Sequence, residues 1–189
     1  MYCVRLWLSA AVLALLAGCA SFVAPAYSPD YPTLDRLKTQ SLDKVSVGRF
    51  EPRAAEAPVN KITLRGAPFA PASGTFVDYL EQAIRSDLHE LRLLDPNATT
   101  RIDATVLKND IDVSGLSTGE GHMQVELTVS RDGRPVHQKV YSASTRFESA
   151  FAAAVAVPKG QSEYPNLVRA LLQTIYADPA FAAALRPSR

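Results

Sequence analysis

A thiol, three imidazoles and one serine–glutamate–histidine run are the groups in this chain with the means to do chemistry. The thiol of Cys19 stands directly after the small residues Ala17 and Gly18, at the end of an apolar run; the only other cysteine is Cys3. A thiolate is the strongest nucleophile among the side chains, so a cysteine placed here can take an alkyl group as a thioether. The imidazoles belong to His89, His122 and His137. None stands in HxxxH or HxH spacing, and two histidines alone make a poor metal site. His89 falls beside Glu90 on the wet edge of an expected helix. His122 and His137 fall on the two arms of an expected hairpin, where they could face each other across a sheet. The run from Ser114 to His122, SGLSTGEGH, brings a serine, Glu120 and a histidine together. It lacks the GxSxG elbow, and no helix follows it to build an oxyanion hole. It also lacks the lysine of a phosphate loop. Its three glycines read as turn positions. Asp103, Asp110 and Asp112 alternate with apolar residues, the pattern of a strand's solvated face and not of a calcium loop. These residues point away from an enzyme; a hydrolase would need His122 or His137 beside an acid and a serine in a cleft. They also point away from a metal or a non-covalent cofactor.

The thiol is the exception, and its surroundings say why. Arg5 is the only charge before it, and Leu6 to Ala17 form an almost unbroken apolar run. As a helix those residues span about 18 Å, well short of a bilayer core of about 30 Å. A basic start, a short apolar core and small residues at its end make a secretory signal peptide, residues 1–18. Leu16-Ala17-Gly18-Cys19 resembles a bacterial lipobox. The resemblance implies a diacylglycerol on the Cys19 sulfur, cleavage before Cys19 and an acyl chain on the new N-terminus. Two or more chains hold a protein stably, because each buried CH₂ contributes about 0.8 kcal/mol. Ala20, where inner-membrane lipoproteins of this type carry Asp, implies the outer membrane with the domain facing the periplasm.

Without residues 1–18 the chain of 189 keeps 171 and loses only Arg5, leaving 19 basic and 19 acidic side chains. A near-zero charge with no basic cluster excludes nucleic acid as a partner. With Cys19 lipidated, no thiol remains for a disulfide or a cysteine-bound zinc. Residues 19–41 carry Pro25, Pro29 and Pro32 with Tyr27 and Tyr31 between them. Proline-rich sequence favours extended backbone, so this reads as a tether able to reach about 70 Å when fully stretched. Residues 42–189 remain as one periplasmic domain.

Within that domain, Val45 and Val47, then Ile62 and Leu64, mark two short strands. Phe76, Leu80, Ile84 and Leu88, widened by Tyr79, Ala83 and Leu91, predict an amphipathic helix from about Thr75 to Leu93, capped by Ser73 or Thr75. Ile102, Ala104 and Val106 alternate, then the phase slips to Ile111 and Val113, which predicts a β-bulge near residues 107–109. Met123, Val125, Leu127 and Val129 form the inner face of a strand that turns at Asp132-Gly133. Phe151 to Val157 is uncharged and reads as helix, strand or loop; buried it is core, exposed it is a candidate interaction patch of Phe151, Val155 and Val157. Pro165 opens a helix with Leu167, Leu171 and Ile175 on one face, and Asp178-Pro179 opens a last short one. The sum is an α+β two-layer sandwich: an antiparallel sheet of about four to five strands under two main helices.

The lipobox, the proline-rich segment, SGLSTGEGHMQVELTVSRDG and YPNLVRALLQTIYADPAF together resemble small envelope lipoproteins of the YajG-like kind. That resemblance implies a lipid-anchored adaptor with an envelope protein as partner, and supplies no catalytic residues. The competing reading is a carrier of a small apolar ligand or lipid. It requires that the Phe76/Leu80/Ile84 and Leu167/Leu171/Ile175 stripes leave a cavity between them.

Overall fold

The computed structural model describes residues 22–55 and 57–187. Its backbone is an open sheet of four strands in the order β2-β5-β6-β7: β2 (Val45–Pro52), β5 (Thr100–Asp112), β6 (Thr118–Arg131) and β7 (Arg134–Glu148). The alternation in the sequence builds the inner face. Ile102, Ala104, Val106, Met123, Val125, Leu127 and Val129 are all at most 3% exposed, while Gln124, Glu126 and Thr128 lie on the wetter side. The β5 register slips between Val106 and Lys108, which keeps Ile111 and Val113 in the core after the phase change. The β6–β7 turn places Asp132 at φ 49° and Gly133 at φ 77°. Two consecutive left-handed residues match the twist of the flanking strands.

Two helices cover that inner face. Helix α2 (Phe76–Glu90) packs on the β2 side, and α3 (Ala153–Tyr176) crosses β6 and β7. Thr75 caps α2: its hydroxyl accepts from the Asp78 amide at 3.2 Å, and the Asp78 carboxylate accepts from the Thr75 amide at 2.7 Å. The fold is α+β, as expected. Three features of this sheet and the helices that cover it differ from the expectation. The four-stranded sheet is mixed, since β2 pairs parallel with β5; the long crossover through α2 makes a parallel pairing possible. Helix α2 stops three residues early, because Arg92 turns left-handed and the amides of Leu93 and Leu94 both fold back on the Leu88 carbonyl. Helix α3 does not begin at Pro165 but runs through Pro158 and Pro165. An internal proline costs about 3 kcal/mol. Fully burying Tyr164, Leu167, Val168 and Leu171 around Pro165 outweighs that, at about 1.5–3 kcal/mol per large apolar side chain. Gly160 lets α3 approach: a Cβ there would stand 2.7 Å from Val113 Cγ1.

The largest departure is at the N-terminal side. Residues 22–38 are not a stretched tether. Phe22–Ala24 form β1, which pairs parallel with β4 (Ala67–Pro71). With β3 (Ile62–Leu64) antiparallel to β4, this makes a second sheet in the order β1-β4-β3. Tyr31–Lys38 form helix α1 with Pro32 in its first turn, where proline costs nothing because that N–H has no helical partner. Thr33, Leu34 and Leu37 share the buried face. The prolines of this segment punctuate short packed elements, and the apolar residues between them find the body of the domain. A last helix, α4 (Pro179–Ala184), starts as read, with Asp178 accepting from the Ala180 amide at 2.8 Å.

Candidate functional site

Cys19, and with it Leu16, Ala17 and Gly18, lies outside the described residues. What the structure describes begins three residues later, and four of the side-chain contacts that hold it to the body come from α2 and α3. Tyr79 donates to the Pro25 carbonyl at 2.8 Å. Arg169 reaches the Ser28 carbonyl at 3.3 Å. Gln173 donates to the Asp30 carboxylate at 2.7 Å. The fourth is the most unusual: Tyr27 donates to both carboxylate oxygens of Asp87, at 3.0 and 3.1 Å.

Asp87 sits on the apolar stripe of α2, three residues after Ile84 and one before Leu88, and is 1% exposed. It also accepts from Tyr176 of α3 at 3.0 Å, so one carboxylate joins the N-terminal segment to both long helices. Burial pushes its carboxyl up to about 6; the two tyrosine hydroxyls oppose that rise without cancelling it. Burial and the carboxylate beside them raise both phenols in turn. Asp30, near the surface, is held low by its hydrogen bonds from Thr33 and Gln173. The space among Tyr27, Asp87, Arg169 and Tyr176 leaves no room for a water molecule. The cluster holds a chain segment. Sequence reasoning missed Asp87, although a signal was present: counting i+3 and i+4 from Ile84 and Ala83 puts it inside the stripe.

A second carboxylate–tyrosine pair lies just past the end of α3, two residues beyond Tyr176. Tyr141 of β7 donates to Asp178 at 2.8 Å, and Lys139 pairs with the same oxygen at 2.7 Å. His137 bonds the Tyr141 hydroxyl at 2.9 Å, and burial lowers its imidazole against the pull of Asp178. Hydrogen bonds from Lys139, Tyr141 and the Ala180 amide hold the Asp178 carboxyl far below the carboxylate range. The chain of groups fastens α4 to β7.

The other candidates fall apart or fall on the surface. His122 stands opposite Ser144 and His137 opposite Val129, so the two histidines do not face each other. His122 lies 3.5 Å from Glu120, whose other oxygen holds Arg146 at 2.6 Å. Asp110 and Asp112 are exposed, as a solvated face requires. Among the described residues no three His, Cys, Asp or Glu side chains gather to hold a metal. The helix stripes meet: Phe76, Leu80, Ile84, Leu167, Leu171 and Ile175 are at most 3% exposed, and Tyr164 packs against Phe76 with ring centroids 4.6 Å apart. The largest grooves lie elsewhere. One of about 840 Å³ runs along Lys38, Lys44, His89 and Arg92. Another, of about 680 Å³, lies on the outer sheet face, where Arg101 and Asp103 pair with each other at 2.8 Å. The expected patch divides. Phe151 and Val155 are 74% and 49% exposed, whereas Val157 is 4% exposed, because Val155 and Val157 lie on opposite sides of the first turns of α3.

No family model matches the sequence, and no curated protein matches it. Among solved structures, the chain is similar to protein XCC0632 from Xanthomonas campestris, of family-model DUF330, at 15% identity and a TM-score of 0.49, over 85% of this chain and 96% of that one. It is similar to a protein from Caulobacter crescentus described as a candidate lipoprotein, at 14% identity and a TM-score of 0.48, over 83% and 99%. It is also similar to a minor lipoprotein from Acinetobacter baumannii, at 15% identity and a TM-score of 0.44, over 78% and 97%.

Proposed function

We propose that the chain is an outer-membrane lipoprotein, anchored at the periplasmic face through a diacylglycerol and an N-acyl chain on Cys19, and that it works there as a non-enzymatic adaptor for an envelope protein. The observation that carries the reading is Leu16-Ala17-Gly18-Cys19 at the end of a short apolar run with a basic start. Short apolar cores of this kind are exported and cleaved, not retained as spans. The adaptor role is supported by what the candidate site does: its strongest polar groups fasten chain segments to one another and meet no open cleft. The helix stripes meet where the carrier reading requires a cavity between them.

Changing Cys19 to Ser tests the anchor. The variant should accumulate as an unprocessed precursor and take up no palmitate analogue; labelling equal to the parent chain would end the reading. Crosslinking in native membranes, followed by identification of what is captured, tests the adaptor role. Recovery of lipid with no specific protein would turn the argument to the carrier.

A further inference from the structure

Leu116 and Phe151 are the two most exposed large apolar side chains of the described residues, at 75% and 74%. They come from different loops and are fastened side by side. Ser149 donates its amide to the Ser117 carbonyl at 2.9 Å. Arg65, in the β3–β4 turn, donates to the carbonyls of both Gly115 and Ala150 at 3.2 Å. Val155 stands in the first turn of α3, four residues after Phe151, and Ala152, Ala153 and Ala154 between them are exposed and uncharged. The result is one apolar end on the domain.

Two independent features aim the N-terminal chain at that end. First, the N-terminal segment and α3 run in the same direction. Gln161 holds the Val23 carbonyl, Arg169 the Ser28 carbonyl and Gln173 the Asp30 side chain. Going backward from Val23 therefore leads toward the start of α3. Val155 lies six residues before Gln161, about 9 Å along the helix. Second, β1 is parallel to β4 with Phe22 opposite Phe69, so going backward from Phe22 also leads toward the turn that carries Arg65. Only Ala20 and Ser21 separate Cys19 from Phe22. Three Cα–Cα steps reach at most about 11 Å.

We infer that Leu116, Phe151 and Val155 form a membrane-contacting face that enters the headgroup layer of the leaflet holding the acyl chains of Cys19. The inference rests on the anchored reading above. An anchor attached to so short a linker cannot let the domain stand away from the bilayer. It also turns a weak three-residue contact into an intramolecular one at high effective concentration. Exposed aromatic and aliphatic side chains with a cation among them, here Arg65, are suited to that interface. The contact fixes the orientation of the domain, with the β6–β7 turn pointing into the periplasm: Val136 lies about 40 Å along β7 from Glu148.

The test uses the mature, lipidated full chain in vesicles of phosphatidylethanolamine and phosphatidylglycerol containing doxyl-labelled phosphatidylcholine. Single cysteines placed at Leu116, Phe151 or Val155, and at Val136 or Val140 as references, carry an environment-sensitive fluorophore. Mass spectrometry of each sample reads the state of Cys19. With Cys19 acylated, labels at 116, 151 and 155 should shift to the blue and be quenched at least twofold by the doxyl lipid, while those at 136 and 140 stay in water. Adding Phe151→Asp should at least halve the quenching at 116. Equal, unquenched emission at 116, 151 and 136 on acylated protein overturns the membrane face and leaves the anchor standing. Labels that dry only as protein density rises, without doxyl quenching, overturn it in favour of a second copy of the chain. A bare Cys19 overturns the anchor and this inference together.

Discussion

Asp87 and Asp178 each accept a hydrogen bond from a tyrosine hydroxyl, at 3.0 and 2.8 Å, and their carboxyls move in opposite directions. Asp87 has no cation bonded to it; burial dominates, and its carboxyl rises to about 6. Asp178 has Lys139 and the first turn of α4, and its carboxyl falls. The same pair of side chains therefore serves two purposes. At Asp87 it satisfies a polar group inside the core and ties residues 22–38 to both long helices. At Asp178 it caps a short helix at the surface. The partner set, and not the tyrosine, decides the sign.

The comparison breaks most visibly if Asp87 is removed. Asp87→Ala strands two buried hydroxyls and opens a cavity, so it should cost about 3 kcal/mol in urea unfolding. It should also expose residues 22–38 to limited proteolysis; protection equal to the parent would sink the view that Asp87 holds the segment. The pH dependence of stability sharpens the contrast, on the order of 2–3 kcal/mol for Asp87. Its folded value lies above the ordinary 3.8, so its protonated form favours the folded state. That contribution is complete below pH 4 and is lost as pH rises through about 6. Asp87→Asn should flatten the stability curve between pH 4 and 6. Asp178 is the reverse case: its contribution is present above pH 4 and is lost as pH falls further. Tyr176→Phe, which removes one of the two donors to Asp87, should cost about 1.5–3 kcal/mol, and more above pH 6 than at pH 4. Asp178→Ala should cost about 1 kcal/mol, the worth of a cap, with no change in cleavage at residues 22–38. Lys139→Ala should cost least, at most about 1 kcal/mol, because Lys139 is half exposed.

Much of the fold was legible because its causes are local. The β5 slip shows as a phase change within a dozen residues, the β6–β7 turn as an Asp-Gly pair, and α2 as a stripe of period 3.6. The candidate site was legible only in part. Cys19 is found by its immediate neighbours, whereas Tyr27 and Asp87 are 60 positions apart, and no local pattern links them. The division of the 151–157 run followed the same rule. Its lack of charge shows in the sequence, but which of its valines faces inward depends on where α3 begins, and two prolines disguised that start.

The sequence by itself determined the alternation of inner and outer faces, the turn, the caps and the chemical distinctiveness of Cys19, since each depends on residues within one strand or one helical turn. Only the tertiary structure decided that the proline-rich segment packs, with Gln173 reaching Asp30 across 143 positions. Only it decided that α3 continues through Pro158 and Pro165, and that an acid on the α2 stripe is buried against two tyrosines. Burial is a property of what lies opposite, and what lies opposite comes from distant parts of the chain.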